Sequence, residues 1–131
     1  MFRVNDLEVV SIVTADLDGS VATFRKNFGL PITRSVENPG AHTKSVQLGI
    51  GAAQIEMATP TADGSPLASF LVERGPGLYQ LVLAVDDLEA ARAELATRGI
   101  EVSIKPGADG TSCGFLSPTQ THGVRIALIA R

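Results

Sequence analysis

An internal repeat is the feature of this sequence that most restricts its fold. At an offset of 71 positions, the Asp16-Leu17 step falls on Asp87-Leu88, and Ile55 falls on Ile126. The chain has 131 residues, of which 44% are hydrophobic, so it is long enough for one well-buried domain and too short for two ordinary ones. The repeat therefore predicts two small modules of the same design within a single domain.

Each copy begins with an apolar strand and a capped helix. Asp16 and Asp87 stand at the N-cap positions, where an aspartate accepts hydrogen bonds from backbone N–H groups. The apolar positions of both helices recur every three or four residues, and Gly29 and Gly99 follow as stop signals. The predicted apolar stripes are Leu17, Val21, Phe24 and Phe28 in the first helix and Leu88, Ala91 and Leu95 in the second.

Three further strands are predicted in each copy. They cover 31–38, 42–49 and 51–59 in the first copy and 101–107, 111–117 and 121–129 in the second, with turn-forming residues at 38–40 and 107–110. Each module is thus a βαβββ unit, spanning 7–60 and 77–131. The linker, 61–76, should hold a short helix that Ser65 caps, that starts at Pro66 and that ends at Gly75. The predicted fold class is α+β.

Two tandem βαβββ modules resemble the vicinal oxygen chelate superfamily, also named glyoxalase/bleomycin resistance/dioxygenase. Within it, the linker run GSPLASFLVERGPGLYQLVLAVDDLEAA and the closing run FLSPTQTHGVRIAL are similar to segments of the methylmalonyl-CoA epimerase family. The resemblance covers nearly the whole chain. It implies a glyoxalase-like fold, in which a curled eight-stranded mixed sheet surrounds a cleft.

The resemblance also implies a divalent metal at the cleft floor, with one ligand from the first and the last strand of each module. Carried onto this sequence, the four positions are Val9, Glu56, Gln80 and Ala127, which form two pairs related by the repeat. Valine and alanine have no donor atom, and one carboxylate with one amide is a poor set for zinc or manganese. We therefore predict no metal cofactor. A divalent ion held weakly by Glu56 and Gln80 is the alternative.

The epimerase resemblance further implies a carboxylate base that removes the proton next to a substrate carbonyl. The family's loop glutamate corresponds to Asn38 here, and Glu37 is adjacent. The candidate catalytic residues are therefore Glu56, Glu37 and His42. Histidine qualifies because it titrates near neutral pH, and His42 is expected to open the third strand.

Five residues are candidates for ligand binding. Gln80 starts an otherwise apolar strand and needs a polar partner, either a ligand or another side chain. Gln54 shares a strand face with the candidate base by the period of two. Val9 and Ala127 would make the cleft floor apolar, which suits an apolar or aromatic ligand group. His122 lies in the turn before the last strand, where it would shape the turn or contact the cleft rim.

Charge and composition argue against several classes of partner. The net charge is −3 and no cluster of lysine or arginine stands out, so we expect neither nucleic acid nor an anionic membrane as a partner. No segment approaches the roughly 20 apolar residues of a bilayer span, and no signal-peptide pattern is present. The predicted location is the cytoplasm. Cys113 is the only cysteine, which excludes an internal disulfide.

Two functional hypotheses lead, and the sequence leaves open whether the protein is an enzyme. The first is a metal-independent binding protein that holds a small, partly apolar metabolite, antibiotic or acyl thioester in its cleft. The second is an isomerase, epimerase or lyase that moves a proton next to a carbonyl, with Glu56 as the base. A weaker third keeps metal-dependent epimerase chemistry. A homodimer is expected, because superfamily members often dimerise and an open sheet leaves edges to cover.

Overall fold

The computed structural model of the protein describes residues 1–107 and 110–131. The predicted turn residues Ala108 and Asp109 lie outside the described residues. The elements, in chain order, are β1 (Val4–Val13), α1 (Leu17–Phe28), β2 (Ile32–Asn38), β3 (Thr43–Ile50), β4 (Ala53–Pro60), α2 (Pro66–Arg74), β5 (Gly77–Val85), α3 (Leu88–Thr97), β6 (Val102–Pro106), β7 (Ser112–Leu116) and β8 (Ile126–Ala130). A short 3₁₀ helix, Pro118–Thr121, which the sequence did not predict, precedes β8.

The strands form a mixed sheet in the order β2-β3-β4-β1-β5-β8-β7-β6. The neighbouring pairs β2·β3, β3·β4, β6·β7 and β7·β8 are antiparallel, whereas β5 and β8 are parallel. Each half of this order follows the same plan, since β6, β7, β8 and β5 stand in the places of β2, β3, β4 and β1. The α+β class and the duplicated βαβββ order are thus confirmed. In the described part of the chain, no helix is long and apolar enough to cross a membrane.

The chain divides into two compact units. One comprises Val10–Tyr79, and the other comprises Met1–Val9 together with Gln80–Arg131. The boundary between Tyr79 and Gln80 falls close to the predicted start of the second module at 77. The boundary between Val9 and Val10 was not predicted, because it places the opening residues of β1 with the C-terminal half. The assignment of a single domain to the whole chain stays a prediction.

The unit Val10–Tyr79 has two core clusters. One lies under α1, and in the other Leu67 of α2 packs on Val13 and Ala58 on the opposite face of the sheet. Leu17 and Val21 pack on Leu48 of β3 and Met57 of β4, both of which are fully buried. Asp16 caps the helix as predicted, with its Oδ1 accepting a 3.0 Å hydrogen bond from the N–H of Gly19. Phe28 is a correction to the predicted stripe, because it closes the last turn of the helix and remains 66% exposed.

The core of the other unit lies under α3. Leu88, Ala91 and Leu95 are buried against Val85, Val102 and Leu128, so the predicted stripe is confirmed. Asp87 caps this helix, since its Oδ1 accepts a 3.0 Å hydrogen bond from the N–H of Ala90. In both units one face of the sheet is covered by a helix. The alternate side chains of the same strands therefore project from the opposite face.

Candidate functional site

Glu56 lies on β4, between two strands that both donate hydrogen bonds to its carboxylate. The Oγ of Ser11, on β1, lies 3.0 Å from Oε1 of Glu56. The Nε2 of Gln47, on β3, lies 3.4 Å from Oε2. Ser11 is buried, whereas Glu56 and Gln47 are half-buried. Each carboxylate oxygen thus has one fixed donor and keeps lone pairs that can accept a proton from another molecule.

The register of the β3·β4 hairpin places Gln47 beside Glu56. The two residues are direct register partners, as are Ile50 and Ala53 at the end of the hairpin. Gly51 has a φ of 57° in the two-residue loop, a conformation that glycine adopts without strain. Because Met57 packs under α1, its neighbour Glu56 projects from the face that α1 does not cover.

Gln54 lies two residues before Glu56 and therefore shares its face, as predicted. Its side chain is anchored to the edge strand β2, because the Oγ1 of Thr33 lies 2.6 Å from Oε1 of Gln54. Thr33 is exposed and Gln54 is half-buried. The amide of Gln54 is thus held in place at one side of the carboxylate.

The structure does not bring Glu37 to Glu56. Glu37 is the register partner of Lys44, which lies three residues before Gln47 on β3. Lys44 and Glu37 therefore project from the face opposite to Gln47 and Glu56. Glu37 helps to line a cavity of about 480 Å³ under α1 instead. Asn38, the position of the family's loop glutamate, falls on the same face as Glu56.

His42 corrects one expectation, since it does not open the third strand. Strand β3 begins at Thr43, and His42 is an exposed turn residue with a φ of 55°. Its N–H donates to the carbonyl of Pro39 over 3.2 Å, so the chain is still reversing direction at this point. Strand alternation cannot place its imidazole on the face of Glu56.

The other three repeat-related positions lie in the second unit. Val82 is the register partner of Ala127, so Gln80, two residues before Val82, projects from the same face as Ala127. This face is opposite to the one that packs on α3. Gln80 is half-buried, while Val9 and Ala127 are 9% and 3% exposed. The side chains of Val9 and Ala127 are therefore buried.

The donor set at these positions does not suit a divalent metal. Val9 and Ala127 offer no donor, and both oxygens of Glu56 already accept hydrogen bonds within the protein. Across the described residues, no group of three or more histidine, cysteine, aspartate or glutamate side chains could hold a metal ion. An amide oxygen from Gln80 and one carboxylate are a poor set for the metals that prefer nitrogen and carboxylate ligands.

His122 is exposed and ends the 3₁₀ helix with a φ of 58°. The N–H of the following Gly123 donates to the carbonyl of Pro118 over 2.7 Å and closes the turn that leads into β8. This geometry gives His122 a role in the turn. Its contact with a ligand stays a prediction.

A family model described as the Glyoxalase/Bleomycin resistance protein/Dioxygenase superfamily matches residues 10–115. The chain belongs to this superfamily. Membership agrees with the duplicated βαβββ order and with the two capped helices. The superfamily contains resistance proteins and enzymes, so membership alone does not decide between binding and catalysis.

Relatives of this superfamily member include epimerases. It is 30% identical to the ethylmalonyl-CoA/methylmalonyl-CoA epimerase of Cereibacter sphaeroides, over 93% of this chain and 95% of the relative. It is 26% identical to the mitochondrial methylmalonyl-CoA epimerase of Homo sapiens, over 98% of this chain and 75% of the relative. A crystal structure of methylmalonyl-CoA epimerase from Mycobacterium tuberculosis matches with a TM-score of 0.91 and 30% identity, over 97% of this chain and 88% of that chain. The predicted resemblance to the epimerases is thus confirmed.

Ser11 and Gln47 are the site residues that sequence reasoning missed. Gln47 could have been found by placing the hairpin loop at Gly51-Ala52 and counting outward along both strands, which pairs it with Glu56. Ser11 had no comparable signal, because β1 and β4 are separated by a helix and two strands in the sequence.

Proposed function

We propose that this protein is an isomerase of the epimerase type, which removes and returns the proton on the carbon next to the carbonyl of an acyl-CoA thioester. The observation that carries the proposal is the carboxylate of Glu56, oriented by Ser11 and Gln47 on the face that α1 leaves uncovered. Relatives that cover nearly the whole chain and are named as epimerases of ethylmalonyl-CoA and methylmalonyl-CoA support it.

In this reaction the Glu56 carboxylate takes the proton from the α-carbon. The electron pair of the broken C–H bond moves toward the thioester carbonyl, and an enolate forms. The enolate then turns over in the site, so that Glu56 returns the proton to the opposite face of the α-carbon and inverts its configuration. Because Ser11 and Gln47 fix both carboxylate oxygens, the base is held in one orientation before substrate binds.

We further propose that the reaction runs without a metal. The enolate charge then has to be met by hydrogen-bond donors. An amide NH₂ has two N–H groups. Gln47 uses one of them for Glu56, and the second is the donor that we assign to the enolate oxygen. The metal-free reaction is supported by the donor set, because Val9 and Ala127 have no atom that can bind a metal ion.

Deuterium uptake tests the proposal. Methylmalonyl-CoA is incubated with the protein in D₂O, and label at the α-carbon is followed by NMR against the uncatalysed exchange. Glu56→Gln keeps the size and removes the base, so we expect the rate to fall roughly 10²- to 10⁴-fold, the usual contribution of a general base.

Glu73→Gln is the matched control, because Glu73 is an exposed residue of α2 in the same unit. It should exchange label at the wild-type rate. Equal rates for the wild-type protein and Glu56→Gln would refute the role of Glu56. No exchange above background with the wild-type protein would refute the activity with this thioester.

A binding protein is the second candidate. Its support is the pair Val9 and Ala127, buried apolar residues at positions where the family resemblance implies metal ligands. This candidate predicts a stable complex with an acyl thioester or another partly apolar molecule and no exchange of label. Isothermal titration run beside the deuterium assay separates the two functions.

A further inference from the structure

A row of polar side chains crosses four strands of the unit Val10–Tyr79. Ser11 on β1 and Gln47 on β3 flank Glu56 and hydrogen-bond to it. Arg34 on β2 is the register partner of Gln47. Register partners on antiparallel strands project from the same face. Arg34 therefore follows Gln47 in the row, with its backbone about 10 Å from that of Glu56 at two strand spacings.

Arg34 is the one cationic strand residue on this face of the unit. It is exposed, and the ion pairs found among the described residues do not include it. The nearest carboxylate along β2, that of Glu37, projects from the opposite face. The strand residues that alternation places on the face of Arg34 are Ser11, Val13, Val36, Asn38, Thr43, Ser45, Gln47, Gln54, Glu56, Ala58 and Pro60.

A second donor lies beside Arg34. The Oγ1 of its neighbour Thr33 lies 2.6 Å from Oε1 of Gln54 and 3.2 Å from the carbonyl oxygen of Gln47, and its single hydrogen is donated to the nearer oxygen, that of Gln54. Since the oxygen of the Gln54 amide is occupied by this hydroxyl, its NH₂ group remains to donate elsewhere. The guanidinium of Arg34 and the NH₂ group of Gln54 are thus available to a ligand at the Arg34 end of the row. The carboxylate of Glu56 lies near the middle of the row.

We propose that Arg34, assisted by the amide of Gln54, binds a carboxylate of the substrate's acyl group. The inference rests on the proposed function. In it, Glu56 removes the proton from the α-carbon of a short acyl chain, and Arg34 binds the carboxylate of the same chain. A planar guanidinium pairs with a carboxylate through two parallel hydrogen bonds, which fixes orientation as well as position. The site thus selects carboxylated acyl thioesters over plain ones.

The experiment compares three ligands by isothermal titration: methylmalonyl-CoA, propionyl-CoA and free CoA. The first two differ in the acyl carboxylate, and the third retains only the phosphates of the carrier. We expect Arg34→Gln to weaken binding of methylmalonyl-CoA tenfold or more, as for the loss of a charge-assisted pair. Binding of propionyl-CoA and of CoA should change less than twofold.

Arg25→Gln is the matched control, because Arg25 is an exposed arginine on α1, against the other face of the sheet. It should bind all three ligands as the wild-type protein does. An equal loss for propionyl-CoA or CoA would mean that Arg34 binds the carrier phosphates and would overturn the proposal. So would unchanged binding of methylmalonyl-CoA, or no binding of it by the wild-type protein.

Deuterium exchange by the same wild-type protein keeps this inference apart from the proposed function. Discrimination by Arg34 without exchange would leave the carboxylate site standing and refute the isomerase. Exchange without discrimination would leave the isomerase standing and refute the role of Arg34. In an active protein, Arg34→Lys should recover part of the binding and Arg34→Gln should raise KM more than it lowers kcat.

Discussion

Removal of the Ser11 hydroxyl should destabilise the fold through Glu56. Ser11 is 3% exposed and donates to Oε1 of Glu56 over 3.0 Å. A hydrogen bond to a charged group contributes about 1.5–3 kcal/mol to stability. Glu56 is half-buried and keeps its contact with Gln47, so water compensates part of the loss. We therefore expect Ser11→Ala to lower the free energy of unfolding by about 1.5 kcal/mol, the lower end of that range.

Urea unfolding followed by circular dichroism measures this change, provided that the slope with urea stays the same in both proteins. A double-mutant cycle then assigns it to the pair. In a Glu56→Ala background the acceptor is gone, so Ser11→Ala should cost less than about 0.5 kcal/mol. The coupling energy should accordingly be about 1 kcal/mol, within the range usual for residues in direct contact.

Ser35→Ala is the control, because Ser35 is an exposed serine on β2 in the same unit. Its free energy of unfolding should stay within about 0.5 kcal/mol of the wild-type value. A coupling energy of zero between Ser11 and Glu56 would contradict this prediction, because it would show that the Ser11 hydroxyl does not stabilise the Glu56 carboxylate. The deuterium assay on Ser11→Ala would show whether a less firmly oriented base also exchanges label more slowly.

Three further changes test the packing and capping within the two units, each by urea or thermal unfolding. Met57→Ala removes a fully buried side chain under α1 and should cost about 2–5 kcal/mol. Asp87→Ala removes the cap of α3 and should cost about 1 kcal/mol, with Asp87→Asn retaining most of the stability. Gly114→Ala would bring a methyl group to 2.8 Å from Val102 and 3.0 Å from Leu88, so we expect a loss of about 1–3 kcal/mol from overpacking. Losses below about 0.5 kcal/mol for any of the three would contradict these contacts.

The repeat predicted most of the fold because the residues that define it act locally. N-cap aspartates, stop glycines and apolar stripes each act within one helix, and both α1 and α3 start where Asp16 and Asp87 predict. Long-range features were missed. The first nine residues join the C-terminal unit, and no local pattern reports which partner a strand will choose.

The candidate site was predictable in part. The resemblance singled out Glu56, whereas its donors depend on the pairing of β4 with β1 and β3. Strand β2 shows the limit most clearly. Its register with β3 shifts between Ile32 and Arg34, and a shift of this kind changes which residues share a face. Counting along the sequence alone therefore could not show that Arg34 lies on the face of Glu56 and Glu37 on the other.

The most direct test of metal-free proton transfer by Glu56 is the rate of α-proton exchange on methylmalonyl-CoA in protein stripped of metal. The protein is dialysed against a chelator, its metal content is checked by elemental mass spectrometry, and label uptake is measured with and without added cobalt. We expect exchange that depends on Glu56 and is unchanged by the chelator or by cobalt. Exchange that disappears on stripping and returns with one cobalt ion per chain would contradict metal-free catalysis.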